Sequence, residues 1–251
     1  MKLKEKIKNK EQTLGSWITM AHPGIVEIMS KAGFDWLTID LEHSGISIQQ
    51  AEELIRVIDL SGVTPLVRLT SNDENLIKRV LDAGAHGIIV PMINSLEGAK
   101  KAINAAYYSP KGSRSFGLAR AQGYGVLFNE YLKKSFEETV IIVQIEHIDA
   151  LADLESILSL DDIDGYIIGP YDLSGSMNIP GEFENDEFLE VISKINAIAK
   201  KLNKPGGIHI VEPNLSQLEE AKKHYNFIAY SVDFRMIDVS SRQAIKSFLD
   251  K

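Results

Sequence analysis

Short apolar runs alternate with longer amphipathic segments along most of the chain. The runs are rich in β-branched residues and predict strands, whereas the segments repeat apolar residues at helical spacing. Several runs are apolar on both faces, which is typical of a parallel sheet covered by helices. The predicted strands are Gly15–Met20, Trp36–Leu41, Pro65–Leu69, Gly87–Pro91, Val140–Glu146, Gly165–Gly169, Gly206–Ile210 and Phe227–Val232. The predicted helices include Gln49–Asp59, Asn75–Ala83, Leu96–Tyr107, Ala150–Leu160, Glu187–Leu202 and Leu215–His224.

Eight strand–helix units in 251 residues predict an α/β fold of the (β/α)8 TIM-barrel type. A doubly wound sheet is the competing fold, but the glycine fingerprint of a dinucleotide-binding domain is missing. No linker composition divides the chain, so we expect one domain over residues 1–251. The segment Tyr108–Glu138 interrupts the alternation, and a connection of this length predicts a functional loop or a lid.

Composition removes several classes of function. A net charge of −8 argues against nucleic acid as the main partner. The absence of cysteine excludes disulfides, thiolate metal sites and cysteine nucleophiles. No apolar run is long enough for a membrane span, and the N-terminus lacks the apolar core of a signal peptide. Five lysines within residues 2–10 suggest a solvated helix face. We therefore expect a cytoplasmic protein.

Polar side chains follow several predicted strands at their carboxyl ends, where TIM barrels carry their active sites. Burial in the barrel mouth is costly for such groups unless they are paired or bind a ligand. Four strand ends on one face of the barrel carry them, which favours a site over isolated structural pairs. These residues are Asp40, Glu42, His43, Arg68, Gln144, Glu146 and Asp172.

The residue types suggest a chemistry. Glu146 and Asp172 come from adjacent strands and suit a hard divalent cation such as Mg²⁺ or Mn²⁺. Arg68 would balance an anionic substrate or a developing oxyanion. His43 is the candidate proton carrier, and its acidic neighbour Asp40 is a candidate catalytic residue that can orient it and raise its basicity.

Simpler interpretations remain open for each residue alone. The Asp40–His43 segment could be a surface turn, Arg68 could form a structural ion pair, and Asp172 could cap a helix. His209 could line the mouth or be a core histidine. Lysine is absent from the interiors of the predicted strands, so a Schiff-base aldolase lacks its nucleophile.

An ordered set of motifs resembles the HpcH/HpaI aldolase family, the metal-dependent class II pyruvate aldolases. The resemblance extends in order over nearly the whole chain, from about Gly15 to the last predicted strand. The motifs are Gly33–Trp36, Asp40–His43, Val67–Arg68, Val90–Met92, Val143–Glu146 and Ile168–Ser174.

The resemblance implies a role for each matching position. His43 matches the proton acceptor, and Arg68 the arginine that stabilises the transition state. Asp82 matches an acid that raises the basicity of the histidine across a subunit interface. Glu146 and Asp172 match the ligands of Mg²⁺, Mn²⁺ or Co²⁺. The implied substrate-binding residues are Arg68, Gln144, Gly169, Pro170, Tyr171, Asp172 and, for the distal part of the substrate, Arg120.

The implied activity is reversible retro-aldol cleavage of a 4-hydroxy-2-oxo acid to pyruvate and an aldehyde, through an enolate held on the metal. A CoA-ester lyase of the citrate-lyase β type, an oxaloacetate decarboxylase or a catalytically silent binding barrel are alternatives. The resemblance also implies a homo-oligomer, a hexamer with exchanged C-terminal helices. The segments Arg114–Gly125 and Gly207–Pro213 depart from the family pattern, as does the bulky Tyr171, which leaves the aldehyde unidentified.

Overall fold

The eight predicted strands are present and close into a parallel barrel in sequence order, in a computed structural model that describes residues 2–249. Each strand pairs with its neighbour along the chain, and the last pairs with the first. The predicted (β/α)8 fold is confirmed. The strands are β1 Thr13–Ile18, β2 Trp36–Asp40, β3 Thr64–Arg68, β4 Gly87–Val90, β5 Val140–Ile145, β6 Gly165–Ile168, β7 Gly206–Ile210 and β8 Phe227–Val232.

Helices connect the strands and cover the outside of the barrel. Their apolar faces pack on the outward side chains of the strands in one continuous core. The helices are α1 Leu3–Lys8, α2 Pro23–Lys31, α3 Ile48–Leu60, α4 Glu74–Asp82, α5 Leu96–Ala106, the 3₁₀ helix η1 Arg120–Gly125, α6 Phe128–Glu138, α7 Ala150–Leu158, α8 Pro170–Ser176, α9 Asp186–Lys201, α10 Leu215–Ala221 and α11 Asp233–Leu249. Within residues 2–249, no helix is both long and apolar enough to span a bilayer.

The barrel interior is closed at its amino end. Leu3 and Ile7 of α1 are 4% and 2% exposed and belong to the same cluster as the inward side chains Trp36 and Phe227. The predicted lysine-rich face of α1 is therefore only one side of this helix, because its other side closes the barrel floor. This arrangement leaves the carboxyl ends of the strands as the open end.

The long connection between β4 and β5 is largely folded. It contains η1 and α6, and the side chain of Arg114 in the preceding loop is completely buried. Arg114 donates to Asp82 Oδ1 at 2.6 Å, and its guanidinium lies 4.6 Å from the ring centroid of Tyr108. The first part of the segment predicted as a functional loop or lid is thus anchored to the outside of the barrel.

Candidate active site

The open end of the barrel contains a cavity of about 240 Å³. Side chains from β1, β2, β3, β5, β6 and β7, or from the loops that follow them, reach it. His43, Arg68, Gln144 and Asp172, predicted from four strand ends, therefore line one cavity. The cavity is lined by Trp17, His43, Arg68, Gln144, Ile167, Ile168, Gly169, Pro170, Tyr171, Asp172, His209 and Val211.

A buried ion pair joins the ends of β2 and β3. Asp40 and Arg68 are register partners in the sheet, so their side chains emerge side by side. Arg68 Nε and Nη2 donate to the two carboxylate oxygens of Asp40 at 2.9 and 2.6 Å. The guanidinium carbon also lies 4.3 Å from the ring centroid of Trp17. Burial alone would lower the pKa of Arg68, but the hydrogen bonds and charge of Asp40 raise it, so Arg68 stays cationic.

The turn after β2 presents His43 to solvent. Asp40 Oδ1 accepts the backbone N–H groups of Glu42 and His43 at 3.0 and 3.3 Å, and Ser44 donates to the Asp40 carbonyl. The carboxylate of Asp40 is thus engaged by Arg68 and by this turn. The acid that an ion-pair contact joins to the imidazole is Glu42, with Oε2 at 3.8 Å from His43 Nε2. Asp40 thus contacts Arg68 and the turn that carries His43 rather than the imidazole itself, and its catalytic role stays a prediction.

Glu42 was expected in the barrel mouth but had no assigned role. Its Oε2 lies 3.3 Å from Arg68 Nη1 but forms no hydrogen bond among the described residues. Burial raises the pKa of Glu42 to about 7; Arg68 opposes this shift, and the charges of Asp40 and Asp172 add to it. Alternation along β2 indicated that Glu42 faces the mouth, but not its contact with both Arg68 and His43.

Glu146, which follows β5, is 2% exposed. Its Oε1 accepts the backbone N–H of Met92 at 2.7 Å, and its Oε2 accepts from the amide nitrogen of Gln144. Met92 adopts a φ of 52°, an unusual value for a residue with a side chain, and this conformation directs its N–H at the carboxylate. Burial raises the pKa of Glu146 to about 7 against these two hydrogen bonds, and the charges of Glu42 and Asp172 raise it further.

Gly169 lets β6 approach this carboxylate closely. A Cβ atom at Gly169 would lie 2.8 Å from Glu146 Oε2 and 3.1 Å from Gln144 Nε2. Helix α8 starts directly after Gly169, and its first turn carries Asp172. No side-chain cap is formed there, so the alternative of Asp172 as a helix cap does not apply within the described chain. Asp172 instead lines the cavity.

The donor set fits a hard divalent cation. Burial raises the pKa of Glu42 and of Glu146, and the charge of Asp172 adds to both shifts. Arg68 and Asp172 line the cavity together. Gln144 Oε1 is a buried oxygen without a partner in the described part of the chain. No group of three or more His, Cys, Asp or Glu that could hold a metal occurs within residues 2–249. Glu146 with Asp172 is the two-carboxylate arrangement that leaves places for water and substrate oxygens.

Two predicted site residues lie elsewhere in the chain. Arg120 donates to Asp59 Oδ2 at 2.6 Å, and Gly84 lies against its guanidinium. Asp59 precedes β3 and Gly84 precedes β4, so this pair lies at the amino end of the barrel, opposite the cavity. Within one chain Asp59 holds the guanidinium of Arg120 away from the cavity, and its predicted substrate contact stays a prediction. Asp82 pairs with Arg114 and does not line the cavity. Its role toward a neighbouring subunit stays a prediction.

Trp17 and Val211 were not anticipated from the sequence. Trp17 lies on β1 at an inward position, which alternation along the strand could have indicated. Val211 follows β7 and carries no chemical signal. His209, for which two interpretations were open, lines the cavity.

We predict that Gly169→Ala destabilises the protein. The new methyl group would clash with Glu146, so we expect a loss of about 1–3 kcal/mol in the free energy of unfolding, measured in urea. Gly175→Ala in helix α8, which begins directly after Gly169, is the matched control, because a Cβ there meets nothing within 4 Å. Equal stabilities of the two variants would contradict the close approach of β6 to Glu146.

Comparison with known proteins identifies the family. Residues 13–237 match the HpcH/HpaI aldolase/citrate lyase family model. The chain is 35% identical over 237 residues to a hydroxypyruvate/pyruvate aldolase of Sagittula stellata, covering 94% of this chain and 93% of that protein. It is 33% identical over 234 residues to a 2-dehydro-3,6-dideoxy-6-sulfogluconate aldolase of Pseudomonas putida, with coverages of 92% and 90%.

Solved structures agree with this assignment. A crystal structure of an HpcH/HpaI aldolase/citrate lyase family protein from Burkholderia cenocepacia superposes with a TM-score of 0.92 at 26% identity, covering 98% of both chains. The predicted enzyme class, a carbon–carbon lyase of the pyruvate aldolase type, is confirmed by these relatives. The chain belongs to the HpcH/HpaI aldolase/citrate lyase family.

Proposed function

We propose that this enzyme cleaves a 4-hydroxy-2-oxo acid reversibly into pyruvate and an aldehyde, at the cavity between Arg68 and the pair Glu146 and Asp172. The single observation that carries this assignment is a buried cationic guanidinium and the Asp172 carboxylate lining one cavity at the carboxyl ends of the strands, with Glu146 held directly against the lining residues Gln144 and Gly169. A 2-oxo acid presents adjacent carboxylate and carbonyl oxygens, which suit such a site.

The cation requirement forms part of the proposal. Mg²⁺, Mn²⁺ or Co²⁺ held by Glu146 and Asp172 would supply Lewis acidity toward the oxygens of the oxo acid. Gln144 holds Glu146 in place through its amide nitrogen, while its unpartnered Oε1 can accept from a bound water or substrate hydroxyl. The backbone from Gly169 to Tyr171 lines the same cavity and supports the substrate-binding role assigned to it.

Arg68 and His43 perform the charge and proton steps in the proposal. Cleavage of the C3–C4 bond leaves negative charge on the 2-oxo oxygen, and the guanidinium of Arg68 stabilises that charge. The imidazole of His43 takes the C4-hydroxyl proton during cleavage and returns it during condensation. Glu42 lies between the two groups and couples them electrostatically.

The alternatives receive less support. The relatives at 33–35% identity are aldolases by name, and the acidic composition gives no indication of a basic groove for CoA. A silent binding barrel would not need His43, Arg68 and Asp172 around one cavity with Glu146 held against it. The proposal includes the predicted cytoplasmic location.

Removal of one carboxylate tests the assignment. In assays of pyruvate release and of condensation with a panel of aldehydes, we expect Glu146→Gln to reduce kcat by about 10²–10³-fold with Mg²⁺, Mn²⁺ or Co²⁺. Glu155→Gln on the exposed surface of α7 is the matched control and should retain activity. Chelator-resistant turnover of Glu146→Gln would refute the metal-ligand role. Inactivity of the folded wild-type protein with every metal and aldehyde would favour the silent barrel.

The pKa shifts predict how pH affects stability. Folding raises the pKa of Glu42 and Glu146 from 4.5 to about 7, so the folded protein binds more protons than the unfolded chain in this range. Their contribution to stability is complete below pH 4.5 and is lost as pH rises through about 7. Without added metal, we expect the Tm to fall from pH 5 to pH 8. Added Mn²⁺ should raise the Tm more at pH 8 than at pH 5, and this increase in Tm should be absent in Glu146→Gln.

Assembly is the last part of the proposal. Along α11, apolar residues at helical spacing form one stripe that remains solvent-exposed: Phe234, Ile237, Ile245 and Phe248 are 47%, 48%, 61% and 76% exposed. A stripe of this kind marks an interaction surface. We propose that it packs on a second copy of the chain, in accord with the exchanged C-terminal helices and hexamer that the resemblance implies.

A single added charge tests whether the stripe on α11 forms a subunit interface. We expect Ile245→Glu to lower the molecular mass in solution, measured by size-exclusion chromatography with light scattering, because it places a carboxylate in the proposed interface. Gln243→Glu adds the same charge on the opposite face of α11 and should leave the mass unchanged. An unchanged mass in both variants would exclude this stripe as the contact.

A further inference from the structure

The imidazole of His209 is a polar group of the cavity that the proposed reaction does not use. It projects from β7 into the barrel, and its ring centroid lies 5.2 Å from that of Trp17. The ring lines the cavity and also the neighbouring groove of about 350 Å³ behind Tyr171. His209 therefore stands where the substrate cavity meets a mainly apolar groove.

A hydrogen bond fixes the proton on one ring nitrogen. His209 Nε2 lies 3.2 Å from the carbonyl oxygen of Ser231. A carbonyl oxygen can only accept, so Nε2 carries the proton and Nδ1 carries a lone pair. Among the described residues, no hydrogen bond involves Nδ1.

The carbonyl that fixes this tautomer comes from a strained residue. Ser231 is completely buried and has a φ of 54°. It lies where β8 contains one residue more than β1, since Gly15 pairs with Ala229 and Trp17 pairs with Val232. Ser231 Oγ donates to the Val211 carbonyl at 3.0 Å, which secures the loop after β7. Strain of this kind persists where the surrounding structure requires it, and it often accompanies a functional site.

The ring is also held in its neutral form. Burial lowers the pKa of His209 to about 4, and the charge of Arg68 lowers it further, against the opposing effects of the Ser231 carbonyl and Asp40. His209 is therefore a neutral acceptor at physiological pH. It does not supply a positive charge for a carboxylate or a proton for the reaction.

We infer that His209 is a specificity-determining residue whose Nδ1 accepts a hydrogen bond from a substrate hydroxyl, so that the enzyme favours hydroxyl-bearing substrates over their deoxy analogues. This inference rests on the proposed function. The hydroxyl can belong to the oxo acid, as in hydroxypyruvate, or to the aldehyde, as in a 2-hydroxyaldehyde. An acceptor that pairs with a substrate hydroxyl disfavours a substrate without that hydroxyl, because the lone pair of the acceptor is then left without a hydrogen bond.

The test compares matched substrate pairs in condensation assays. One pair is hydroxypyruvate and pyruvate, each with propanal; the other is lactaldehyde and propanal, each with pyruvate. For the pair whose hydroxyl meets Nδ1, the ratio of kcat/KM for the hydroxylated over the deoxy substrate should fall about tenfold in His209→Leu. His209→Asn keeps an acceptor and should retain more of this selectivity. His86→Leu is the matched control, because His86 is exposed at the amino end of the barrel, outside both the cavity and the groove, and its ratios should equal those of the wild type.

The outcomes distinguish a failure of the inference about His209 from a failure of the proposed function. Wild-type turnover with the same ratios in His209→Leu as in wild type would overturn the inference and leave the proposed function standing. An equal loss of kcat/KM in all substrate combinations would also overturn it. The same loss of selectivity in His209→Leu and His209→Asn would overturn it as well. No turnover of the wild type in any combination would contradict the proposed function itself. Thermal unfolding of each variant identifies any that is not folded.

Discussion

The ion pair between Asp40 and Arg68 is the interaction on which the rest of the site depends. It is almost completely buried and bidentate, and it links two neighbouring strands at their ends. A buried ion pair of this kind contributes little net stability, because the desolvation of both charges offsets their attraction. Its effect here is geometric. Asp40 fixes the guanidinium toward the cavity and, through the backbone N–H groups of Glu42 and His43, also fixes the turn that carries the imidazole.

Charge repulsion acts among the carboxylates of the site. Burial raises the pKa of both Glu42 and Glu146, and the charge of Asp172 adds to both shifts, while Arg68 opposes the shift of Glu42. Backbone and side-chain amides hold Glu146 in place but do not bring its pKa back to the ordinary value. The free protein therefore has an electrostatic cost at its own active site, and a ligand that brings positive charge would remove that cost. Such a cost is expected where affinity for a cation matters more than stability of the empty fold.

Much of this arrangement could be predicted from the sequence. The barrel follows from eight apolar runs separated by amphipathic segments, and in a barrel every strand end faces the same way. Arg68, Gln144 and Asp172 could thus be placed in one mouth without knowing any distance. The contacts within the mouth could not, because side-chain geometry decides them. Asp40 turns to Arg68 rather than to His43, and Glu42 takes the place expected of Asp40. The location of Arg120 could not be predicted for a related reason, because local sequence does not indicate that its loop returns to the amino end of the barrel.

The two sides of the cavity differ in how many contacts an amino-acid substitution would disturb. Residues on β2, β3, β5 and β6 interlock, since Gly169 touches Glu146 and Asp40 holds Arg68. A substitution there disturbs several groups at once. His209 on β7 is held by Ser231 and by contact with Trp17, and none of the groups assigned to the reaction depends on it for a hydrogen bond within the described chain. A barrel built this way can keep one carbon–carbon bond chemistry while its seventh strand and the loop at Tyr171 vary with the substrate. The departures from the family pattern at Tyr171 and in the segment 207–213 occur on that side of the cavity.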